Sequence, residues 1–189
     1  MTLKKLRILL LICLTFSILV VSSFSGLTAL KSRIIKDQEY FPVVKEVIKE
    51  ARRSIKIIAF EMAYYPDYPL SPSNILIQEL IAAGKRGVDV KVILEVSEWN
   101  ERLTRKNTLS GKILGKNGIK VVFDSPKITC HAKLVIVDSS IAILGSNNWT
   151  YYSLTQNREI SVLLTHPLLV KDLEDYFDLL WKEGKKRSD

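Results

Sequence analysis

Apolar positions recur along the chain with two different periods. Phe41, Val44, Val47, Ile48 and Ala51 fall three or four residues apart, the spacing of one helix face. The next apolar run, 55–60 (IKIIAF), is short and rich in β-branched residues, so it predicts a strand. A second helix is expected from Ser73 to about Lys85, with Ser71 or Ser73 as its cap and Gly84 and Gly87 marking its end. The strand pattern 88–96 (VDVKVILEV) follows, which completes a β-α-β unit. A third helix is expected near Leu109–Lys116, then strands at 119–123, 133–138, 141–146 and 159–165. Pro167–Lys182 reads as an amphipathic closing helix. Parallel units first and a hairpin later predict an α/β fold, a mixed β-sheet flanked by helices on both faces. No segment repeats, so any motif occurs once per chain.

Residues 1–30 break this pattern and form a unit of their own, ahead of a domain expected at 31–189. Lys4, Lys5 and Arg7 precede 23 uncharged residues, Ile8 to Leu30. That length spans a hydrocarbon core as a hydrophobic helix, which fits an uncleaved membrane anchor. A cleavable signal peptide fits too, because the dense apolar run ends at Val21 and Ser23-Phe24-Ser25 offers small residues for a peptidase. Both readings export the rest of the chain, either held at the membrane or released as a secreted or periplasmic protein. Charge flanks the segment equally on both sides, so the positive-inside rule adds little.

The 189 residues carry a net charge of +8, of which +5 remains after residue 30. A basic domain favours an anionic partner, nucleic acid or an anionic lipid surface. With 47% hydrophobic and 25% charged residues, a folded domain is expected and a disordered tail is excluded. The two cysteines, Cys13 and Cys130, have no partners at metal-ligand spacing, so no cysteine-based zinc site, cofactor cluster or disulfide scaffold is expected.

The chemistry concentrates in His131-Ala132-Lys133-Leu134-Val135-Ile136-Val137-Asp138 and in Gly145-Ser146-Asn147-Asn148. His131 and Lys133 are two apart on a strand and share a face. A hairpin turning symmetrically about Ser139-Ser140 sets Lys133 opposite Ser146 and His131 opposite Asn148. Gly145 then lets a ligand or a backbone approach closely. Such a cluster suits a phosphate: Lys133 offsets its charge, Ser146 and Asn148 donate hydrogen bonds, and His131 is a nucleophile at neutral pH. Asp138, at odd separation from His131, faces the other way and is expected to accept backbone N–H bonds in the turn. The carboxylate expected to orient the His131 imidazole is Glu159, at the start of the next strand.

The pattern H-x-K-x4-D-x6-G-S-x-N, filled by His131, Lys133, Asp138, Gly145, Ser146 and Asn148, resembles the signature of the phospholipase D superfamily. Glu159 stands where that family has its downstream Glu, and the likeness covers roughly residues 38–183. The resemblance implies a phosphodiester hydrolase with no metal or other cofactor, in which the motif His attacks phosphorus to form a phosphohistidine. A second motif His protonates the leaving group. The only other histidine, His166, has no such pattern around it and reads as a surface or turn residue. Single-motif members of the family solve this by forming homodimers, so a homodimer with its active site on the two-fold axis is implied here.

Three function classes then compete. A nuclease on single-stranded nucleic acid, similar to the small single-motif endonucleases, is favoured by the basic charge and by Arg102, Arg105 and Lys106 in an expected loop from Trp99. A phospholipase D or cardiolipin hydrolase acting on membrane lipid is the alternative. A phosphate-binding module without turnover is opposed by the complete motif. Tyr64, Tyr65 and Tyr68 fit base stacking, a lipid interface or ordinary loop packing. Cys130 is expected buried on the face opposite His131.

Overall fold

The structure, a computed structural model, describes residues 32–185; the expected N-terminal hydrophobic helix and its boundary at residue 30 lie outside them. Among the described residues no helix is long and apolar enough to cross a membrane. The strands are β1 (Ser32–Lys36), β2 (Ser54–Ala59), β3 (Asp89–Leu94), β4 (Lys120–Phe123), β5 (Lys133–Val137), β6 (Ile141–Gly145) and β7 (Ile160–Leu164). The helices are α1 (Tyr40–Glu50), α2 (Pro72–Lys85), α3 (Glu101–Lys116), α4 (Tyr151–Thr155) and α5 (Pro167–Glu183), with one 3-10 turn at Asp37–Glu39.

One mixed sheet of order β1-β7-β6-β5-β2-β3-β4 results. The strands β2, β3 and β4 are parallel, and every other pairing is antiparallel. The expected β-α-β beginning and hairpin later are both present. Period-two alternation sends side chains to two separate cores. Ile57, Val92, Val135 and Ile143 join α1 and α2 on one face, while Ile58, Ile93, Leu134 and Ile136 meet Val170 and Phe177 of α5 on the other. On that second face Lys56 lies between Glu174 and Asp178, 2.9 and 2.7 Å away, which ties α5 to the centre of the sheet.

Three sequence expectations need correction. First, α3 begins at Glu101 and not near Leu109, so Arg102, Arg105 and Lys106 are helical. Its start is set by Asn100, whose side chain accepts the Leu103 N–H at 3.1 Å. The buried stripe of that helix includes Asn107, Ser110 and Gly111, which hydrophobic periodicity does not register. Second, Ser71 precedes α2 but its side chain makes no cap bond, and Ser73 instead donates to Ala63 O and Trp149 O at 2.5 and 2.7 Å. Third, the β5–β6 hairpin turns through three residues. Asp138 and Ser139 both take positive φ, +54° and +52°, and Val137 pairs with Ile141. This moves the register by one residue, so Gly145, and not Ser146, comes opposite Lys133. Two short elements, β1 and α4, carry no periodic signal of their own.

Candidate active site

The antiparallel start of β5 at Lys133 lies beside Ala59, the last residue of β2. The same end of the sheet therefore gathers the segments after β2, β3, β4 and β6 and those before β5 and β7. His131 sits there just ahead of β5, with its side chain exposed. Its ring packs against Phe60 at 4.4 Å between centroids and forms no hydrogen bond among the described residues. The Lys133 ammonium is half-buried, donates to His131 O at 2.7 Å and lies 4.7 Å from the centre of the same Phe60 ring.

Phe60 is held by α3. Asn107 donates to Phe60 O and to Glu95 O, both at 2.8 Å, and accepts the Met62 N–H at 2.8 Å. Ser110 adds a bond to Met62 O at 2.6 Å. The buried polar residues of α3 thus fix the backbone that carries the ring touching His131 and Lys133. Glu95, buried after β3, accepts the N–H of Cys130 at 2.8 Å and so anchors the residue before His131. Sequence reading missed Phe60, Glu95, Asn107 and Ser110, because their roles depend on strands that meet only in the fold.

Partial desolvation, and after it the neighbouring Lys133 charge, lowers the His131 pKa from its ordinary 6.5. The imidazole is therefore neutral at pH 7, as a nitrogen nucleophile requires. Because the neutral form reacts, the acid limb of kcat/KM is expected below pH 6.5. Lys133→Gln removes the charge contribution and should move that limb upward while weakening phosphate binding; a pH–rate profile of both proteins measures it. Lys133 itself is lowered by burial, against the opposing pull of Glu159 and Cys130.

The Glu159 carboxylate faces this pair without touching the imidazole. It accepts from Ser146 Oγ, from Ser153 Oγ at 2.7 Å and from Asn157 Nδ2 at 3.3 Å. Its backbone is pinned by Asp37, whose carboxylate accepts the Glu159 N–H at 2.9 Å. The expected Glu159–His131 hydrogen bond is absent within the described chain, where the carboxylate is turned to Ser146, Ser153 and Asn157 instead. Ser146 is correspondingly occupied, donating to Glu159 and accepting the Ile160 N–H at 3.1 Å. Asn148 is half-buried, its N–H donates to Ser153 Oγ at 2.9 Å, and its Oδ1 is buried with no partner. Ser153, at the hub of these bonds, was not foreseen; Thr150, which accepts its N–H at 3.4 Å, is the only local signal for it.

Gly145 is required by backbone. A Cβ there would stand 2.1 Å from Ser161 Oγ and 2.4 Å from Ile160 O, so β7 itself makes the close approach. Gly145→Ala should destabilise the domain by about 3 kcal/mol and displace Ser146 and Glu159 together, read as a lowered Tm with a lowered rate.

Asp138 lies at the opposite end of the hairpin from His131. Its carboxylate accepts the N–H groups of Arg53 at 2.7 Å, Ser54 at 2.9 Å and Arg52 at 3.0 Å. It is a backbone acceptor as expected, but its donors belong to the segment leading into β2 and not to its own turn. His166 stands at the N-cap position of α5, without a side-chain cap bond, beyond the far end of β7, half-buried and away from His131. Cys130 is buried in the core on the α5 side, and burial leads in pushing its thiol up to about 11. Lys106 pairs with Glu61 in a partly buried ion pair, whereas Arg105 meets Glu101 only in an exposed pair one helical turn away, so of the three cations expected at the rim Lys106 is the one engaged within the fold.

Against this geometry, residues 44–181 match the family described as the PLD-like domain of cardiolipin synthase. The mitochondrial cardiolipin hydrolase of Xenopus laevis is 28% identical over 133 residues, covering 70% of this chain and 57% of that protein. A cardiolipin synthase of Listeria welshimeri is 28% identical over 142 residues, covering 75% of this chain but only 28% of that protein. Among solved structures, the phospholipase D family member Nuc from Salmonella typhimurium superposes with a TM-score of 0.70 at 26% identity, covering 84% of this chain and 99% of that one. NucT from Helicobacter pylori, at 18% identity and a TM-score of 0.68, shares the fold. With the spaced His131–Asn148 signature gathered on one sheet in the matching order, the chain belongs to the PLD-like domain family of the phospholipase D superfamily.

Proposed function

We propose that this chain is a metal-independent phosphodiesterase that works through a phosphohistidine at His131. The observation that carries it is the exposed imidazole of His131, without a hydrogen bond among the described residues and kept neutral beside the Lys133 ammonium at the open end of the sheet. A ring nitrogen attacks phosphorus and the P–O bond to the leaving alcohol breaks. Lys133 offsets the charge on the non-bridging oxygens, joined by the Asn148 amide. Water then attacks the phosphohistidine, the P–N bond breaks, and the imidazole is regenerated.

Protonation of the leaving oxygen calls for a second imidazole. His166 is at the wrong end of the sheet, so a homodimer that brings two copies of His131 together supplies it. Light scattering on the full chain in detergent, corrected for bound detergent, should give twice the chain mass; a fully active monomer would refute this assembly. Acid-labile phosphate on His131 after rapid quenching with a labelled diester tests the intermediate. Its absence under steady turnover, or turnover that depends on added divalent metal, would refute the mechanism.

Two substrate readings remain distinct. A phospholipid diester is favoured by the partly buried pairing of Lys106 with Glu61, which takes one cation from the basic rim, and by relatives named for cardiolipin hydrolysis and synthesis. Single-stranded nucleic acid is favoured by the +5 charge after residue 30. Anchorage or export through residues 1–30 fits the first reading most directly.

A further inference from the structure

A groove of about 680 Å³ lies between the loop that follows β2 and the start of α4. We propose that this groove is an acyl-chain subsite, which seats one hydrocarbon chain of a bilayer phospholipid while its phosphodiester lies at His131. This rests on the phosphodiesterase reading above and adds where the substrate's apolar part is held.

The lining is aromatic and aliphatic: Tyr65, Tyr68, Leu70, Tyr151 and Tyr152, closed by Pro69 and Pro72. Leu70 is 83% exposed, Tyr68 70% and Tyr152 64%. Large apolar side chains gathered at one place in water mark an interaction surface. Tyrosine in particular presents an apolar ring with a polar tip, the arrangement found at membrane interfaces. Trp99 and Ile128, from the loops after β3 and β4, are exposed at this same end of the sheet.

Continuity with the reaction centre comes through α4. The Tyr151 N–H donates to Tyr65 Oη at 3.2 Å, which joins the two walls of the groove. Ser153, two residues on, bonds to Glu159 and accepts the Asn148 N–H. One helical turn, about 5 Å of rise, therefore carries both the groove wall and the polar network of the phosphate site.

Charge decides between a hydrocarbon chain and a polyanion. A single-stranded nucleic acid needs cations that track its backbone beside any stacking rings. No Lys or Arg lines the groove, and its one charged residue is Asp67. Phosphates are repelled there, whereas an uncharged acyl chain is not. The 23 uncharged residues from Ile8 to Leu30 have the length to hold this chain at a bilayer, where such a substrate is found.

The full chain reconstituted into phosphatidylglycerol vesicles, with a trace of the same lipid bearing a diazirine in one acyl chain, tests this directly. After photolysis, label is expected in the peptides spanning 65–72 and 151–152. The double substitution Leu70→Asp with Tyr152→Asp, checked for folding by circular dichroism, should lower that labelling. It should also lower the ratio of vesicle-lipid turnover to bis(p-nitrophenyl) phosphate turnover by about tenfold, the scale of burying two methylenes. Label confined to other segments, or an unchanged ratio, overturns the proposal. So does a disulfide between two copies of a Leu70→Cys protein, which would assign the groove to the dimer. If the wild type hydrolyses no diester at all, the phosphodiesterase reading fails by itself, and the labelling, which needs no turnover, still decides the groove.

Discussion

His131→Ala is expected to reduce turnover by about 10⁴-fold or more while leaving the melting temperature close to that of the unsubstituted protein. The activity loss follows from removing the atom that forms the covalent bond, an effect that no neighbouring group replaces. The small effect on stability follows from exposure: the ring contacts Phe60 and makes no hydrogen bond among the described residues. Steady-state rates on bis(p-nitrophenyl) phosphate together with a thermal melt measure both quantities. Chelator added to the unsubstituted protein should change nothing. A His131→Ala protein that retains more than about one hundredth of the rate would place the nucleophile elsewhere.

Asp138→Ala should show the opposite pattern, a loss of about 2–3 kcal/mol in stability with active sites that still turn over when folded. Three backbone N–H groups, those of Arg52, Arg53 and Ser54, lose their carboxylate acceptor together. Alanine also tolerates the φ of +54° at this position less well than aspartate. Burial works to raise the Asp138 pKa, but those three N–H bonds outweigh it and hold the carboxyl below its ordinary 3.8. A carboxyl lowered on folding stabilises the native state fully above its unfolded pKa, and that stability is lost as pH falls through the folded pKa. The gap between wild type and Asp138→Ala should therefore be constant from pH 5 to 8 and narrow below about pH 4 toward the pH-independent part that the positive φ contributes. Denaturant melts at pH 7 and pH 3 would test this, and a gap as large at pH 3 as at pH 7 would mean that the carboxylate charge is not what holds the β2 entrance.

Most of the sheet was legible because its central strands are buried on both faces. Runs such as 133–137 and 88–94 are apolar enough to be strands without reference to anything else, and the Gly and Pro positions around them mark the breaks. The motif was legible for a similar reason. His131, just ahead of β5, and Lys133, its first residue, are close in sequence, so their juxtaposition is local, and the spaced signature needs no knowledge of tertiary contacts.

The start of α3, by contrast, was hidden because its buried positions are Asn107, Ser110 and Gly111, polar or small residues that the fold satisfies with the backbone of Phe60, Met62 and Glu95. The hairpin register was hidden because a symmetric two-residue turn and the observed three-residue turn fit the same apolar pattern; the bonds from Asp138 to the segment before β2 accompany the latter. That single residue of register changes which side chain stands across from Lys133.

By itself, then, the sequence determined the α/β class, the order of strands β2 to β7 and the spacing of the His131–Asn148 signature, since these depend on local periodicity and on residues close along the chain. Only the tertiary structure decided which partners those residues have. Glu159 turned toward Ser146 and Ser153, Phe60 came to lie under His131 and Lys133, and Tyr65 met Tyr151 beside the site. The contacts of Phe60 and of Tyr65 join segments more than seventy residues apart, those of Glu159 join neighbouring turns, and what selects all of them is packing and hydrogen-bond satisfaction in the assembled core, which no local pattern encodes.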